Sequence, residues 1–121
     1  ALRREAARTD DSTAVMAARR ALERIFTHMS FYAPRDFFDE RRYAHAAFVL
    51  RIARLIRPED GFACFWQARA LAQTGDKPNA LAALECAAAS KQVGASAIEA
   101  DSLLAPLHGD PRYEAVVRLL K

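Results

Sequence analysis

Three histidines, two cysteines, several serines and a short run of carboxylates are the residues of this 121-residue chain that could carry chemistry. His28, His45 and His108 are scattered along the sequence, and none belongs to an HExxH or similar ligand pair. Ordinary surface or interhelical roles are expected of them, and no metal site. Asp36, Asp39 and Glu40 stand near His45 and could form an acid/base cluster, but they fall at a helix junction, where carboxylates commonly cap. Ser30, Ser90, Ser96 and Ser102 have no recognisable His or Asp partner pattern, which leaves a nucleophile unsupported. GxSxG, GxxxxGK[ST] and GxGxxG motifs are absent, and four glycines in all make a phosphate cradle hard to build. No residue is assigned a catalytic role, no cofactor is implied, and the chain is not read as an enzyme.

Cys64 and Cys86 stand well apart in sequence, with no CxxC and no second ligand pair, so zinc is unsupported. Two buried or half-buried free thiols are expected. A disulfide between neighbouring helices stays open if the compartment is oxidising. The residues do not fix the compartment, with the cytoplasm slightly favoured. Ala1 stands where an initiator Met would be, which suggests that a leader or a preceding domain has been removed.

Two constellations could be binding surfaces instead. Phe31, Tyr32, Phe37, Phe38 and Tyr43 fall within thirteen residues, more aromatic surface than one short helix usually buries alone. Packing against the N-terminal helix is the simpler role; the competing one is an exposed patch for self-association or for anchoring an apolar peptide. Arg51, Arg54 and Arg57 form an i, i+3, i+6 row preceded by Arg41 and Arg42. Such a row could hold a carboxylate or an acidic peptide through paired N–H donors, although a solvated or internally paired face is the commoner arrangement.

Composition constrains the elements that must position these residues. The chain is 52% apolar with 18 basic and 15 acidic residues, 27 alanines, four Gly and five Pro. This fits one small all-helical domain and disfavours both disorder and a turn-dense β-sandwich. Apolar runs such as residues 46–50 are closed by Arg51, so no membrane span is expected. Residues 1–57 carry twelve arginines against seven acids and residues 58–121 six bases against eight acids, so the net +3 arises in the front half. Exposed aromatics interleaved with clustered bases, or a known reading motif, do not occur, and nucleic-acid binding is not expected.

Helix signals divide the chain clearly. After Asp10-Asp11-Ser12, read as a cap, Val15, Ala18, Leu22, Ile25 and Met29 make one apolar stripe. Residues 1–9 would extend that helix or form a loose tail. Pro34 predicts a kink or break at Ala33, with a short helix over 35–40. Residues 43–57 carry two stripes, Ala46-Leu50-Ala53 and Phe48-Ile52-Leu55, which predict contact on two sides. Pro58-Glu59-Asp60 ends that helix and starts another, over 61–74, stopped by Gly75. Asp76-Lys77-Pro78 opens a helix to about Lys91. Ser96 with Glu99 suggests a capping box, and Asp110-Pro111 starts a last helix through Leu120.

One constant offset maps Ala80 onto Ala46, Leu84 onto Leu50, Ala87 onto Ala53, Phe65-Trp66 onto Phe31-Tyr32 and Leu71 onto Phe37. A period of about 34 residues built from two antiparallel helices is the tetratricopeptide signature. Small residues at Ala68, Ala80 and Ala87 would let helix backbones approach while Leu71 and Leu84 fill the gaps. On these residues, with the Gly75-Asp76 turn and Pro58 at a repeat end, residues 27–94 resemble two tetratricopeptide repeats. The expected organisation of the single domain 1–121 is an N-terminal helix (1–26), a degenerate repeat (27–60), a clear repeat (61–94) and closing helices (95–121). The last of these, with Pro106, Gly109-Asp110-Pro111 and Tyr113, looks like the closing element of such arrays in bacterial multidomain proteins. Pro34, Arg41-Arg42 and Gln92 depart from the family pattern. The resemblance implies a short right-handed helical stack that binds a partner protein or peptide without catalysis, and that can pair with a second copy. The alternative is a helical accessory domain of a larger enzyme, for example a hydrolase, whose catalytic domain lies outside this sequence.

Overall fold

The computed structural model describes the backbone of residues 2–121 and the side chains of residues 12–121. Every regular element among the described residues is helical: α1 (Leu2–Thr27), a π-helical turn (His28–Tyr32), α2 (Ala33–Asp39), α3 (Tyr43–Ile56), α4 (Gly61–Thr74), α5 (Lys77–Ser90), α6 (Ala95–Ala100), a 3₁₀ segment (Ser102–Leu107) and α7 (Pro111–Leu120). No described helix is long and apolar enough to cross a membrane.

The boundaries from α4 onward follow from local chemistry. Asp60 caps α4 by accepting from the Ala63 N–H at 3.0 Å, and Gly75 closes it at φ 88°. Asp76 caps α5, and Asp110 caps α7 by accepting from the Arg112 N–H at 2.8 Å, each with a proline in the first helical turn. The Ser96–Glu99 box does not form. Gly94 is the cap residue of α6 and makes no side-chain bond, while Glu99 pairs with Lys121 at 2.9 Å.

Upstream, the chain departs from expectation. α1 starts at Leu2, so residues 10–12 lie inside the helix and not at its start; strong helix formers precede them and carry the helix through. The Pro34 break is absent as well. The Ala33 N–H bonds the His28 carbonyl five residues back, and this widened turn lets the chain run into α2 with Pro34 in its first turn and fully buried. A π-turn relieves the clash that proline would make in regular helix, and Ala33 keeps helical angles.

Packing is uneven along the chain. The main core joins α4 to α7, with Ala68, Ala80, Leu84, Ala87, Ile98, Leu104 and Leu107 all at 0% exposure. A much smaller cluster of Phe26, Ala53 and Ala63 ties α1 to α3 and α4. Most of the first stripe is not covered: Val15, Leu22 and Ile25 are 53%, 47% and 42% exposed, and of its members half-buried Met29 packs inward, beside Phe26. In α3 the Ala46-Leu50-Ala53 stripe is buried and the helix packs against both α2 and α4, while Phe48 and Leu55 of the second stripe face solvent with Ile52 half-buried.

Cys64 and Cys86 are disulfide-bonded, with Cα atoms 5.9 Å apart, which corrects the expectation of free thiols. The two cysteines stand at equal distances in sequence on either side of Gly75, so folding α4 back along α5 at that turn brings them face to face. Such a bond sits poorly with the slight preference for a reducing cytoplasm.

Candidate functional site

The π-turn and α2 form one wall of a cleft of about 670 Å³, and the start of α4 forms the other. Ser30, Phe31, Pro34, Arg35, Phe38 and Asp39 line the first wall; Asp60, Phe62, Ala63 and Trp66 line the second. Phe31 and Phe62 are more than half exposed, while Phe38 and Trp66 are half-buried and meet edge to face at 5.0 Å. Phe38 also meets Tyr43 edge-on at 5.6 Å. The result is a fixed aromatic floor between two exposed aromatic walls.

Arg69 holds that floor. Its guanidinium lies 4.5 Å from the Trp66 ring centroid, 5.2 Å from that of Phe38 and 5.8 Å from that of Phe65. Its Nε sits 2.6 Å from Asp101 Oδ2, in an ion pair whose side chains are 19% and 10% exposed. The Nε–H is not aligned for a hydrogen bond, so the contact is electrostatic. Asp101 is itself fixed by accepting from the Leu103 N–H at 2.9 Å. One arginine thereby ties the cleft to the α6–3₁₀ junction through cation–π stacking and charge.

No family model, curated protein or solved structure matches this chain. The site therefore stands on its own geometry. Of the aromatics singled out in the sequence, Phe31 and Phe38 line the cleft and Tyr43 supports Phe38 from behind. Tyr32 is exposed and lies in a separate depression with His28, Arg20 and Glu23, its ring edge-on to Phe31. Phe37 packs on His45 at 5.4 Å under the Arg42 guanidinium. The expected packing against the N-terminal helix does not hold for three of the group: Phe37 meets His45 of α3, Phe38 meets Trp66 of α4, and Tyr43 meets Phe38 of α2.

The arginine row is divided. Arg57 pairs with Glu23 and covers the Phe26 ring at 4.5 Å, and Arg42 pairs with Glu40. Arg54 donates through Nη1 to Gln67 Oε1 at 2.6 Å, and Arg51 is exposed. Asp36 and Asp39 are exposed, and no group of three or more His, Cys, Asp or Glu among the described residues could hold a metal.

Phe62, Trp66 and Arg69 went unrecognised in the sequence as site residues. The repeat offset pairing Phe65-Trp66 with Phe31-Tyr32 was the available signal, because it puts aromatics on neighbouring helices. Gly61 was missed too. A Cβ there would strike Ser90 Oγ, lie 2.7 Å from Ser90 Cβ and 2.8 Å from Gln92 Oε1, which already accepts from the Gly61 N–H at 2.6 Å. Gln92 thus fastens the end of α5 to the start of the cleft wall.

Proposed function

We propose that the chain is a tetratricopeptide-like interaction module that docks an apolar or aromatic segment of a partner protein in the cleft between α2 and α4, without catalysis. The observation that carries this reading is that Phe31 at 55% and Phe62 at 53% exposure line one cleft with the half-buried, edge-to-face Phe38–Trp66 pair. Two exposed aromatic walls over a pre-organised floor are what an anchor side chain needs, since little has to order on binding.

The repeat reading is supported by period. α3, α5 and α7 start at Tyr43, Lys77 and Pro111, and α4 and α6 at Gly61 and Ala95, so that every step has the same length. Three of the four left-handed positions among the described residues, Arg41, Gly75 and Gly109, keep the same interval, at φ 58°, 88° and 88°, while Lys91 at φ 60° lies outside it. A non-glycine residue in that conformation at Arg41 marks the turn as imposed by the architecture.

Selection of a displayed random peptide library on the purified domain tests the docking site. Selected peptides should share an aromatic or large aliphatic anchor and bind at least about tenfold more weakly to Phe62→Ala. They should bind Leu119→Ala, an exposed change outside the cleft, as they bind the unmodified chain. Equal binding to all three proteins would refute the cleft. A dimer in light scattering that Phe62→Ala dissociates would give the cleft to a second copy of the chain instead.

A further inference from the structure

We propose a second binding site, a carboxylate-binding groove between α3, α4 and α5, where Arg51 and Arg54 hold an acidic residue of a partner peptide. Two adjoining depressions, of about 570 and 300 Å³, share Arg51, Arg54 and Gln67. Neither shares a residue with the aromatic cleft.

The argument rests on an imbalance of charge. Arg54 is half-buried, its Nε is fully covered, and no acceptor among the described residues serves that nitrogen. Its one hydrogen-bonded partner is neutral, the amide oxygen of Gln67, a side chain only 6% exposed. Among the described residues no carboxylate oxygen lies within 4.0 Å of Arg51 or Arg54, whereas the other half-buried arginines, Arg57 and Arg69, have Glu23 and Asp101. A partly desolvated cation without a counter-charge is unfavourable, and the missing component is an anion. Gln67 fixes the guanidinium from behind, which leaves its remaining donors pre-organised for a ligand.

The surroundings narrow the ligand. Phe48, Leu71 and Ala82 line the larger depression, so the anion should sit on an apolar body. Asp76 and Asn79 line the depression as well. Asp76 caps α5, with one oxygen facing the Asn79 N–H and the other accepting from Asn79 Nδ2 at 2.8 Å, so it does not neutralise the arginines. Its negative charge disfavours a multiply charged phosphate and tolerates a single carboxylate flanked by amides. A Glu or Asp between apolar residues meets every condition.

The test titrates the full chain with acetyl-Leu-Glu-Leu-amide, its Leu-Gln-Leu counterpart, glutarate and inorganic phosphate, following the arginine Nε–Hε cross-peaks by NMR at constant ionic strength. The Glu peptide should shift the Arg54 signal with a dissociation constant of about 1 mM, and the Gln peptide should not. Arg51→Met, an exposed change that leaves the Arg54–Gln67 contact in place, should weaken the Glu peptide about tenfold. Arg54→Met should abolish binding; should that variant fail to fold, Gln67→Met reads the same contact. Binding should fall as salt rises. Equal effects of the Gln peptide, tighter binding of phosphate or glutarate than of the Glu peptide, or no shift at about 10 mM would overturn the proposal. Persistence of the Glu-peptide signal in Phe62→Ala separates this groove from the aromatic cleft, so either site can fail while the other stands.

Discussion

Reduction of the Cys64–Cys86 bond should weaken the fold by an amount that the chain separation sets. The bond joins positions 22 residues apart across the α4–α5 turn. Closing a loop of that length removes conformational freedom from the unfolded chain worth about 3 kcal/mol at 25 °C. α4 and α5 pack through Ala68, Ala80, Leu84 and Ala87, all fully buried, so the folded state keeps its geometry without the bond. The effect should therefore appear in the unfolded state. For a domain of this size it corresponds to a melting-temperature loss of about 12 °C. The assay is urea and thermal unfolding by circular dichroism with and without reductant, with thiol alkylation and mass spectrometry to establish the redox state. Cys64→Ala/Cys86→Ala should lose slightly more than the reduced protein, because Cys64 is completely buried and its sulfur leaves a small cavity. Superimposable oxidised and reduced melts, in samples whose alkylation states differ, would refute the entropy argument. Two alkylatable thiols in the untreated protein would refute the bond itself.

Three further outcomes follow from single contacts. Arg69→Met keeps the aliphatic stem but leaves Asp101, 10% exposed, without its cation; a loss of about 3 kcal/mol is expected, with weaker tryptophan burial by fluorescence, and a loss below about 1 kcal/mol would show the pair to be idle. Gly61→Ala sets a methyl group against Ser90 and Gln92 and should cost about 1–3 kcal/mol in urea unfolding, while Gly61→Ala/Ser90→Gly should recover much of it; absence of that recovery would place the strain elsewhere. Burial, with added repulsion from Glu114, Glu99 and Asp101, raises the Tyr113 phenol above the ordinary tyrosine value. The unfolded chain then releases this proton first, so stability is intact below about pH 10 and declines as pH rises beyond it; Tyr113→Phe should flatten that decline, and parallel pH profiles would contradict the shift.

Much of the helical layout was legible where residues carry explicit start and stop signals. Asp60, Gly75, Asp76-Lys77-Pro78 and Asp110-Pro111 each satisfy or remove an orphan backbone group, and the observed ends of α4, α5 and α7 sit at those residues. Asp10-Asp11-Ser12 misled because a capping residue permits a helix start without forcing one. Pro34 misled because a single π-turn supplies the room that a regular turn lacks. Periodicity identified which residues share a face of α1 and α3, but Phe48, Leu55 and Leu22 remain exposed because the pattern does not reveal whether a neighbour exists. The cleft was half legible: Phe31 and Phe38 belong to a dense aromatic run, whereas Phe62, Trp66 and Arg69 join them only through helix pairing. The disulfide was readable in principle, since Gly75 lies midway between the two cysteines.

The uneven distribution of the core sets the order in which the molecule comes apart. α4 to α7 share a continuous apolar interior and a covalent staple, while among the described residues α1 and the π-turn are held chiefly through Phe26, Met29 and the Glu23–Arg57 pair. Amide protons of α4 and α5 should exchange only through global opening, and those in the middle of α1 through local fraying. The α2 wall stands on the weak side of this divide and the α4 wall on the strong side. The cleft thus straddles two cooperative units, and a ligand gripping both would act as a clasp, slowing exchange in the N-terminal unit far more than in the C-terminal one.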